Sequence, residues 1–395
     1  MQSPRSIVIA SRLFVPEAGA APFRLNALAA ALDGAGHGVT VLTTRPPDGT
    51  RSEGRVRRWP VIRDSTGAVR GYLPYASFDI PLFFRLLLTR KLSLVVVEPP
   101  PTTGVVARLV CRLRRVPFVY FAADVTSSAA RGIGVSPVVV RVLRRVEAWV
   151  LRGAAGVLAV SDGVRSEIIA LGVNPSRVVV VGTGIDTVTF SPQGEVAEPG
   201  YPYLIYTGTM SEVHGAGVFI EAFALVASKN RAVRLRMLGQ GVEARDLEAM
   251  AERLSPGRVD FPGSVKGDQV ARWLRGAVAA LASVRPERGY DFAFATKALV
   301  ALSCGTPVIY SGVGPLRAKI AGTNLGWGVD WDPEHVAAAM IEALKARDSA
   351  ARRQERSDWV ENGYSLDSVA RRASDAIDSI LSTGWPSEVS TRPSP

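Results

Sequence analysis

Cysteine and histidine are both scarce in this chain of 395 residues, which contains 2 cysteines and 3 histidines. So few residues of these types exclude a disulfide framework and make a structural zinc site unexpected. No apolar stretch reaches the ~18 uncharged residues that a membrane-spanning helix needs. The opening residues, MQSPRSIVIA, are too short and too strand-like for a secretory signal. We therefore expect a cytoplasmic protein, whose contact with a membrane would be peripheral and at the inner face.

Positive charge is concentrated in one part of the chain. The whole sequence has 47 basic and 36 acidic residues, a net charge of +11, and residues 81–152 alone have 12 basic against 3 acidic residues, or +9. Such a field attracts anionic membranes, nucleic acids or phosphorylated substrates. No zinc finger, basic zipper or aromatic RNA-binding motif is present, so we do not expect a nucleic-acid partner.

One basic segment predicts an amphipathic helix. Residues 136–152 (SPVVVRVLRRVEAWVLR) place arginines on one face and residues such as Val139 and Val142 on the other, with Ser136 as a candidate N-cap. This pattern is typical of a helix that lies on an anionic membrane. It is also typical of an ordinary surface helix whose apolar face joins the core. The pattern alone favours this second interpretation.

Short apolar runs alternate with helical patterns in two successive sets. The first set of strand-like runs extends from Ser6–Ala10 to Val178–Val181, and the second from Tyr203–Thr207 to Pro307–Tyr310. This alternation predicts parallel strands joined by helical crossovers, hence two doubly wound, Rossmann-like α/β domains that face a common cleft. The predicted boundaries are 1–189 for the first domain, 190–202 for a linker, 203–365 for the second domain, 366–383 for a final helix and 384–395 for a disordered tail.

Glycine-containing loops follow four of the predicted strands. They contain Gly19, Gly184, Gly208 and Gly239. Glycine lets a backbone approach a ligand closely, and ligands of such sheets bind at the carboxyl ends of the strands. The pattern is not G-x-G-x-x-G, so a dinucleotide site is not indicated. Four such loops together predict an extended ligand that carries phosphate.

A lysine lies in the first turn of a predicted helix near 294–303. The helix dipole disfavours a cation at that end, so Lys297 is either solvated or opposite a bound anion. The residues themselves leave both alternatives open.

Three segments of the chain carry motifs of one enzyme family. Residues 16–43 (PEAGAAPFRLNALAAALDGAGHGVTVLT) resemble its P-x-x-G-G…G-H-x-V-x-V block, residues 170–190 (ALGVNPSRVVVVGTGIDTVTF) its G-V…N-G-V-D block, and LSCGTPVIYSG its E-A-M-A-C-G-T-P-V-V-A-S block. The chain resembles the retaining glycosyltransferases of family 4, which have the GT-B fold, from about Ile7 to about Ser379. A subgroup in polysaccharide and lipopolysaccharide assembly has a P-S-K-L-x-E-Y-M-A text at the place of Lys297.

The resemblance implies transfer of a sugar from a UDP-, GDP- or dTDP-linked donor to a hydroxyl group, with retention of configuration and no metal or other cofactor. The second domain would hold the nucleotide, and the first would hold an acceptor that is lipid-linked or a small molecule. The final helix would cross back to the first domain. Two alternatives remain: a non-catalytic homologue that binds or activates a partner, and an enzyme with other nucleotide-sugar chemistry, such as an epimerase or a pseudo-glycosyl coupling enzyme.

The chain departs from the family at residues that normally bind the donor. Phe292 and Val300 replace both glutamates of an E-x7-E arrangement, and Thr209 and His214 replace an Arg and a Lys that hold the diphosphate. We predict that His214, whose pKa a diphosphate would raise, and Lys297 stabilise the leaving group, and that Asp124 orients or deprotonates the acceptor. The predicted donor-binding residues are Gly19, Arg24, Gly184, Gly208, Thr209, Gly239, Lys266, Asp291, Phe294 and Thr296.

Overall fold

The structure is a computed structural model. It describes residues 4–17, 19–64, 67–69, 71–132, 135–288, 290–291 and 294–383. The predicted tail over 384–395 and Phe292 lie outside the described residues.

The first half of the chain forms a seven-stranded sheet in the order β3-β2-β1-β4-β5-β6-β7. Its runs such as Leu94–Val97 (LVVV) are apolar throughout because helices cover both faces of a parallel sheet. The strands are β1 Ser6–Ala10, β2 Gly38–Thr44, β3 Val56–Trp59, β4 Leu94–Val97, β5 Phe118–Ala122, β6 Gly156–Ala159 and β7 Val178–Val180; the helices are α1 Ala20–Gly34, α2 Tyr72–Leu88, α3 Pro101–Arg114, α4 Thr126–Gly132, α5 Pro137–Arg152 and α6 Asp162–Ala170.

The second half forms a six-stranded sheet in the order β10-β9-β8-β11-β12-β13. The paired strands of both sheets run parallel, for example β8 with β9 and β11. The strands are β8 Tyr203–Thr207, β9 Arg234–Leu238, β10 Val259–Gly263, β11 Ala279–Val284, β12 Val308–Gly312 and β13 Gly326–Val329; the helices are α7 Gly217–Ala227, α8 Ala244–Leu254, α9 Gly267–Gly276, α10 Thr296–Ser303, α11 Pro315–Ile320, α12 Pro333–Lys345, α13 Ala350–Tyr364 and α14 Leu366–Thr383. The two doubly wound sheets confirm the predicted α/β architecture.

The last two helices join the two sheets. Helix α13 packs on α10 of the second half, whereas α14 packs on α1 and β6 of the first half. Ile377 of α14 is fully buried in the first core, and the buried His37 lies 2.7 Å from Asp378 through its Nε2 atom. Arg372 donates hydrogen bonds to the carbonyl oxygen of Val181. The last described helix, α14, therefore packs on the first half of the molecule.

Local predictions for α5 are wrong in part. Ser136 is the N-cap residue as predicted, but its side chain makes no capping hydrogen bond. Val139 and Val142 do not join the core, because α5 buries Val140 and Leu151 instead, and both valines are exposed. The sequence analysis did not predict strands β3 and β13 or helices α2, α4, α11 and α13. Strands β3 and β13 include charged or glycine residues, VRRW and GWGV, and so lack an apolar run. Within the described residues, no helix is both long and apolar enough to cross a membrane.

Candidate functional site

The predicted site residues follow the carboxyl ends of strands in both sheets. Asp124 follows β5 in the first half, and Gly208, Gly239 and Lys297 follow β8, β9 and β11 in the second. Because the strands of each sheet are parallel, these ends lie along one edge of that sheet. The burial of Tyr290 and, secondarily, the charge of Asp124 raise the pKa of Tyr290, which links the first half electrostatically to the segment before α10.

Lys297 extends from the first turn of α10 to the loop after β8. Its Nζ atom donates a hydrogen bond of 2.6 Å to the hydroxyl oxygen of Tyr206, which in turn donates to the carbonyl oxygen of Thr209 at 2.7 Å. The Nζ atom also lies 4.2 Å from the centre of the Tyr206 ring. No carboxylate of the described residues forms an ion pair with Lys297. The lysine is therefore held against Tyr206, and no carboxylate of the described residues balances its charge.

Burial changes the ionisation of Lys297. Desolvation lowers the pKa of its ammonium group from 10.5 to about 7. The N-cap residue of α10, Ala295, supplies no side-chain hydrogen bond to the free N–H groups of the first turn. An anion at this position would meet both a helix N-terminus and an enclosed lysine, and it would favour the charged form of Lys297.

His214 lies in the same loop region but is uncharged. Burial, followed by the charge of Lys297, lowers its pKa to about 4. Its Nδ1 atom lies 3.3 Å from the carbonyl oxygen of Ser283, and the Ser283 hydroxyl donates to the carbonyl oxygen of His214 at 2.6 Å. A carbonyl accepts only, so Nδ1 carries the proton and Nε2 is an acceptor. A bound diphosphate would therefore have to raise the pKa of His214 from this lowered value. In its neutral form, the ring can accept a hydrogen bond from a sugar hydroxyl through Nε2.

Glycine at position 239 is required by the backbone of the neighbouring loop. A Cβ atom there would lie 1.9 Å from the carbonyl oxygen of Gly208, and its φ is +140°. The Gly208 amide donates to the carbonyl oxygen of Leu238 at 2.9 Å. A Cβ atom on Gly208 would in turn lie 3.4 Å from Cε of Lys297. The two loops and the lysine therefore form one closely packed unit.

A buried ion pair lies under the loop of Asp124. Arg24 is paired with Glu98 at 3.5 Å, and Glu98 also accepts a hydrogen bond of 2.6 Å from the Ser11 hydroxyl. Asp124 reaches solvent, yet the protein atoms around its carboxylate raise its pKa, and the nearby charge of Arg24 opposes this shift. Arg24 was predicted to be a cation for the donor. The structure gives its charge a partner within the first half instead.

The remaining predicted residues have varied surroundings. Gly184 has a φ of +73°, which favours glycine, and a Cβ atom there would lie 3.1 Å from Cδ2 of Leu366 at the start of α14. Phe294 packs against Tyr364 with ring centres 5.3 Å apart and an angle of 31° between the ring planes. Gly19 is the N-cap residue of α1, Lys266 that of α9, and Thr296 is the first residue of α10. Thr209 and Asp291 are exposed.

Two residues of the site were missed by sequence analysis. Tyr206 is a fully buried residue of β8 whose hydroxyl holds Lys297, and Glu98 is the buried partner of Arg24. Tyr206 belongs to an apolar strand, where an aromatic residue is ordinary. Glu98 ends the apolar run SLVVVE, and a carboxylate at the end of an apolar strand is a signal that could have been used, as it was for Asp124.

Comparison with known families decides the class of the protein. A model described as "Glycosyl transferase 4-like domain" matches residues 19–184, and one described as "Glycosyl transferases group 1" matches residues 201–346. The chain belongs to the family-4 glycosyltransferases. Its relatives include a D-inositol 3-phosphate glycosyltransferase from Pseudarthrobacter chlorophenolicus, 28% identical over 212 residues. This match spans 50% of the present chain and 48% of that relative. The chain therefore spans about half the length of the curated relatives it matches.

Solved structures confirm the GT-B fold of this glycosyltransferase. Sucrose-phosphate synthase from Thermosynechococcus elongatus superimposes with a TM-score of 0.77 and 17% identity, over 96% of this chain and 100% of the other. Anabaena HepE, solved in complex with UDP and glucose, superimposes with a TM-score of 0.70 and 14% identity, over 95% of this chain and 100% of the other. At these identities the similarity concerns the fold alone.

Proposed function

We propose that this glycosyltransferase transfers a sugar from a UDP-linked donor to an acceptor hydroxyl with retention of configuration and without a metal ion. The observation that supports it best is the enclosed lysine without a carboxylate partner, Lys297, held beside the Gly208 loop at the N-terminus of α10. The UDP complex of HepE, which has the same fold, favours uridine among the possible bases.

Lys297 would act on the leaving group. Transfer of the glycosyl unit breaks the bond between the anomeric carbon and the diphosphate oxygen, and negative charge develops on the diphosphate. A cation and free N–H groups that are already in place stabilise this charge more in the transition state than in the ground state. Lys297 takes the place of the family's missing Arg and Lys, whose positions are Thr209 and His214. Neutral His214 would accept a hydrogen bond from a donor hydroxyl.

Asp124 is proposed to orient or deprotonate the acceptor hydroxyl. We expect Asp124→Asn to reduce kcat by about 10²–10⁴-fold, the usual contribution of a positioned acid or base. The Kd for UDP should not change, because Asp124 lies on the other half of the molecule. Single-turnover kinetics and UDP titration of the same preparation measure the two effects. A loss of UDP affinity equal to the loss of rate would contradict this assignment.

The donor is tested by thermal-shift titration with UDP, GDP, ADP, dTDP and their common sugars. A ligand at 100 times its Kd stabilises a folded protein by about 2.7 kcal/mol, so a bound nucleotide is readily detected. We expect stabilisation by UDP and a UDP-sugar, and equal activity with and without EDTA. NMR of the product should show the anomeric configuration of the donor. An inverted product would exclude the retaining mechanism.

The loss of the family's glutamates supports a second candidate, a non-catalytic homologue. Val300, which replaces the glutamate that binds the ribose, is a partly buried apolar residue packed against the core of the second half. Loss of such a charge-assisted hydrogen bond costs about 1.5–3 kcal/mol of donor affinity. Absence of a thermal shift with every nucleotide would favour this candidate over the enzyme.

A further inference from the structure

Three neighbouring helices of the first half expose apolar side chains. Helix α3 packs against both α2 and α5, which makes one continuous surface. Its exposed apolar residues include Ile80 (61%), Phe84 (56%) and Leu88 (77%) on α2, Leu113 (66%) on α3, and Val138 (62%) and Val142 (54%) on α5. Contiguous exposed apolar surface of this kind marks an interaction site. We call this surface the basic-apolar face.

No exposed carboxylate lies on these three helices. Their only acidic residues are Asp79 of α2 and Glu147 of α5, which are 7% and 2% exposed. Asp79 accepts a hydrogen bond of 2.7 Å from the Thr103 hydroxyl, and Glu147 accepts from the backbone amides of Thr126 and Ser127. Both carboxylates are therefore occupied inside the fold. The arginines of the basic-apolar face have no counter-charge on their own helices.

Several arginines converge on a cavity of about 670 Å³ between α3, α5 and the end of α6. The guanidinium of Arg108 stacks on the Trp149 ring at 4.1 Å, and Arg152 donates to the carbonyl oxygen of Leu171 at 2.8 Å. These contacts, to an aromatic ring and to a carbonyl oxygen, orient the side chains of Arg108 and Arg152. The cavity, which we call the arginine pocket, is lined by Arg108, Arg141, Arg144, Arg145, Trp149 and Arg152. An anion would relieve the mutual repulsion of these charges.

We propose that the basic-apolar face docks on an anionic phospholipid bilayer, with the arginine pocket around a lipid phosphate. Exposed aliphatic residues interleaved with arginines match the acyl boundary and the headgroups of such a surface. A second copy of the chain fits poorly, because two faces of the same sign repel. A nucleic acid would leave the aliphatic side chains without a partner.

The docking would bring a lipid-borne acceptor to the cleft, a consequence that rests on the proposed function. Helices α2 and α3 follow strands β3 and β4, and α5 follows the short helix α4 that comes after β5, so the chain enters all three from the carboxyl edge of the sheet. Asp124 lies at this edge, after β5. Exposed Tyr72 and Val138 at the starts of α2 and α5 extend the apolar surface toward it.

The test is co-sedimentation of the full chain with vesicles of phosphatidylcholine alone, or of phosphatidylcholine with about 30 mol% phosphatidylglycerol. The amount of protein bound to each kind of vesicle is measured at about 0.1 M salt. We expect binding to the anionic vesicles only. The triple variant R141A/R144A/R145A should lose about 100-fold in the partition coefficient, because each basic residue at an anionic surface contributes a factor of about five. The variant R141K/R144K/R145K, which keeps the charges, should retain binding.

Two further variants make the test specific. The variant F84S/V139S/V142S should lose at least about tenfold of vesicle binding, since it removes the inserted apolar groups. The matched control R231A/R245A/R253A, which removes three exposed arginines of the second half, should bind as the unchanged chain does. UDP thermal shifts, measured on every variant, report folding and the donor site independently of the membrane.

Several results would overturn the docking proposal. These are equal binding to neutral and anionic vesicles, no binding to either, unchanged binding by the arginine variant, or a stable dimer in sedimentation velocity that buries the basic-apolar face. RNA binding that survives F84S/V139S/V142S and competes with vesicles would assign the face to nucleic acid instead. Vesicle binding without any UDP thermal shift would leave the docking proposal supported and the proposed function contradicted.

Discussion

Replacement of Lys297 by methionine should reduce sugar transfer by about 10²–10³-fold, the usual loss when a preorganised group at a developing charge is removed. Methionine preserves the length and much of the packing of the side chain, so the enclosed site near Tyr206 remains filled. The affinity for UDP should fall as well. Turnover with the identified donor and calorimetric titration with UDP measure both effects.

Tyr206→Phe is the matched control for this variant. It removes the hydroxyl that accepts from Lys297 at 2.6 Å but keeps the ring and the ammonium group. The substitution also removes the hydrogen bond from this hydroxyl to the carbonyl oxygen of Thr209. We expect the rate to fall by less than about tenfold, since the cation itself carries the effect and both lost hydrogen bonds are made in the ground state as well as in the transition state. If Tyr206→Phe were as damaging as Lys297→Met, the hydrogen-bonded arrangement and not the charge would be responsible.

The same lysine should make UDP binding dependent on pH. In the free protein the pKa of Lys297 is about 7, so the side chain is mostly neutral at pH 8, and a bound diphosphate would restore its charge. Binding at pH 8 should therefore take up close to one proton, and affinity should weaken as pH rises from 7 to 9. Titrations in buffers of different ionisation enthalpy measure this uptake, which Lys297→Met should abolish.

The free protein responds to pH in the opposite direction. The lowered pKa of Lys297 means that the unfolded chain binds more protons than the folded one between pH 7 and the ordinary value of 10.5. The contribution of Lys297 to the free energy of unfolding therefore rises with pH across this window. Comparison with Lys297→Met isolates it from other groups.

Replacement of Gly239 by alanine should destabilise the second half by about 3–5 kcal/mol. This cost is the sum of a strained backbone conformation and of overpacking against the Gly208 carbonyl, which cannot move without displacing the backbone of its loop. The new Cβ atom would lie 1.9 Å from the Gly208 carbonyl oxygen at a φ of +140°. Differential scanning calorimetry should show a fall of about 10 °C in melting temperature for a domain of this size. UDP binding should also weaken, because displacement of Gly208 moves the loop beside Lys297.

Gly263→Ala is the control for the steric part of this effect. Gly263 ends the neighbouring strand β10 at a φ of +78°, but a Cβ atom there would have nothing within 4 Å. It should therefore cost only the backbone strain, about 1 kcal/mol. Equal losses of stability for the two variants would show that conformation, and not contact with Gly208, makes glycine necessary at position 239.

The sequence by itself determined the architecture of this protein. Apolar runs such as LVVV, separated by helical patterns, have few arrangements other than a parallel sheet covered on both faces. The family motifs, which are local stretches of chain, indicated the class of enzyme and the places of the lost donor-binding residues. Both kinds of signal depend on neighbours in sequence, so they could be found without the fold.

Only the tertiary structure decided how the site residues are used. Lys297 and Tyr206 are 91 residues apart in the chain, and their contact depends on α10 and β8 packing together. Arg24 has a partner in Glu98, 74 residues away, and this removes it from the free cations. Val139 and Val142 belong to a helix whose buried face is set by its packing on α3 and α4. Burial and contacts between distant residues determine the ionisation and the exposure of these side chains. A local sequence pattern shows neither the burial nor the contacts.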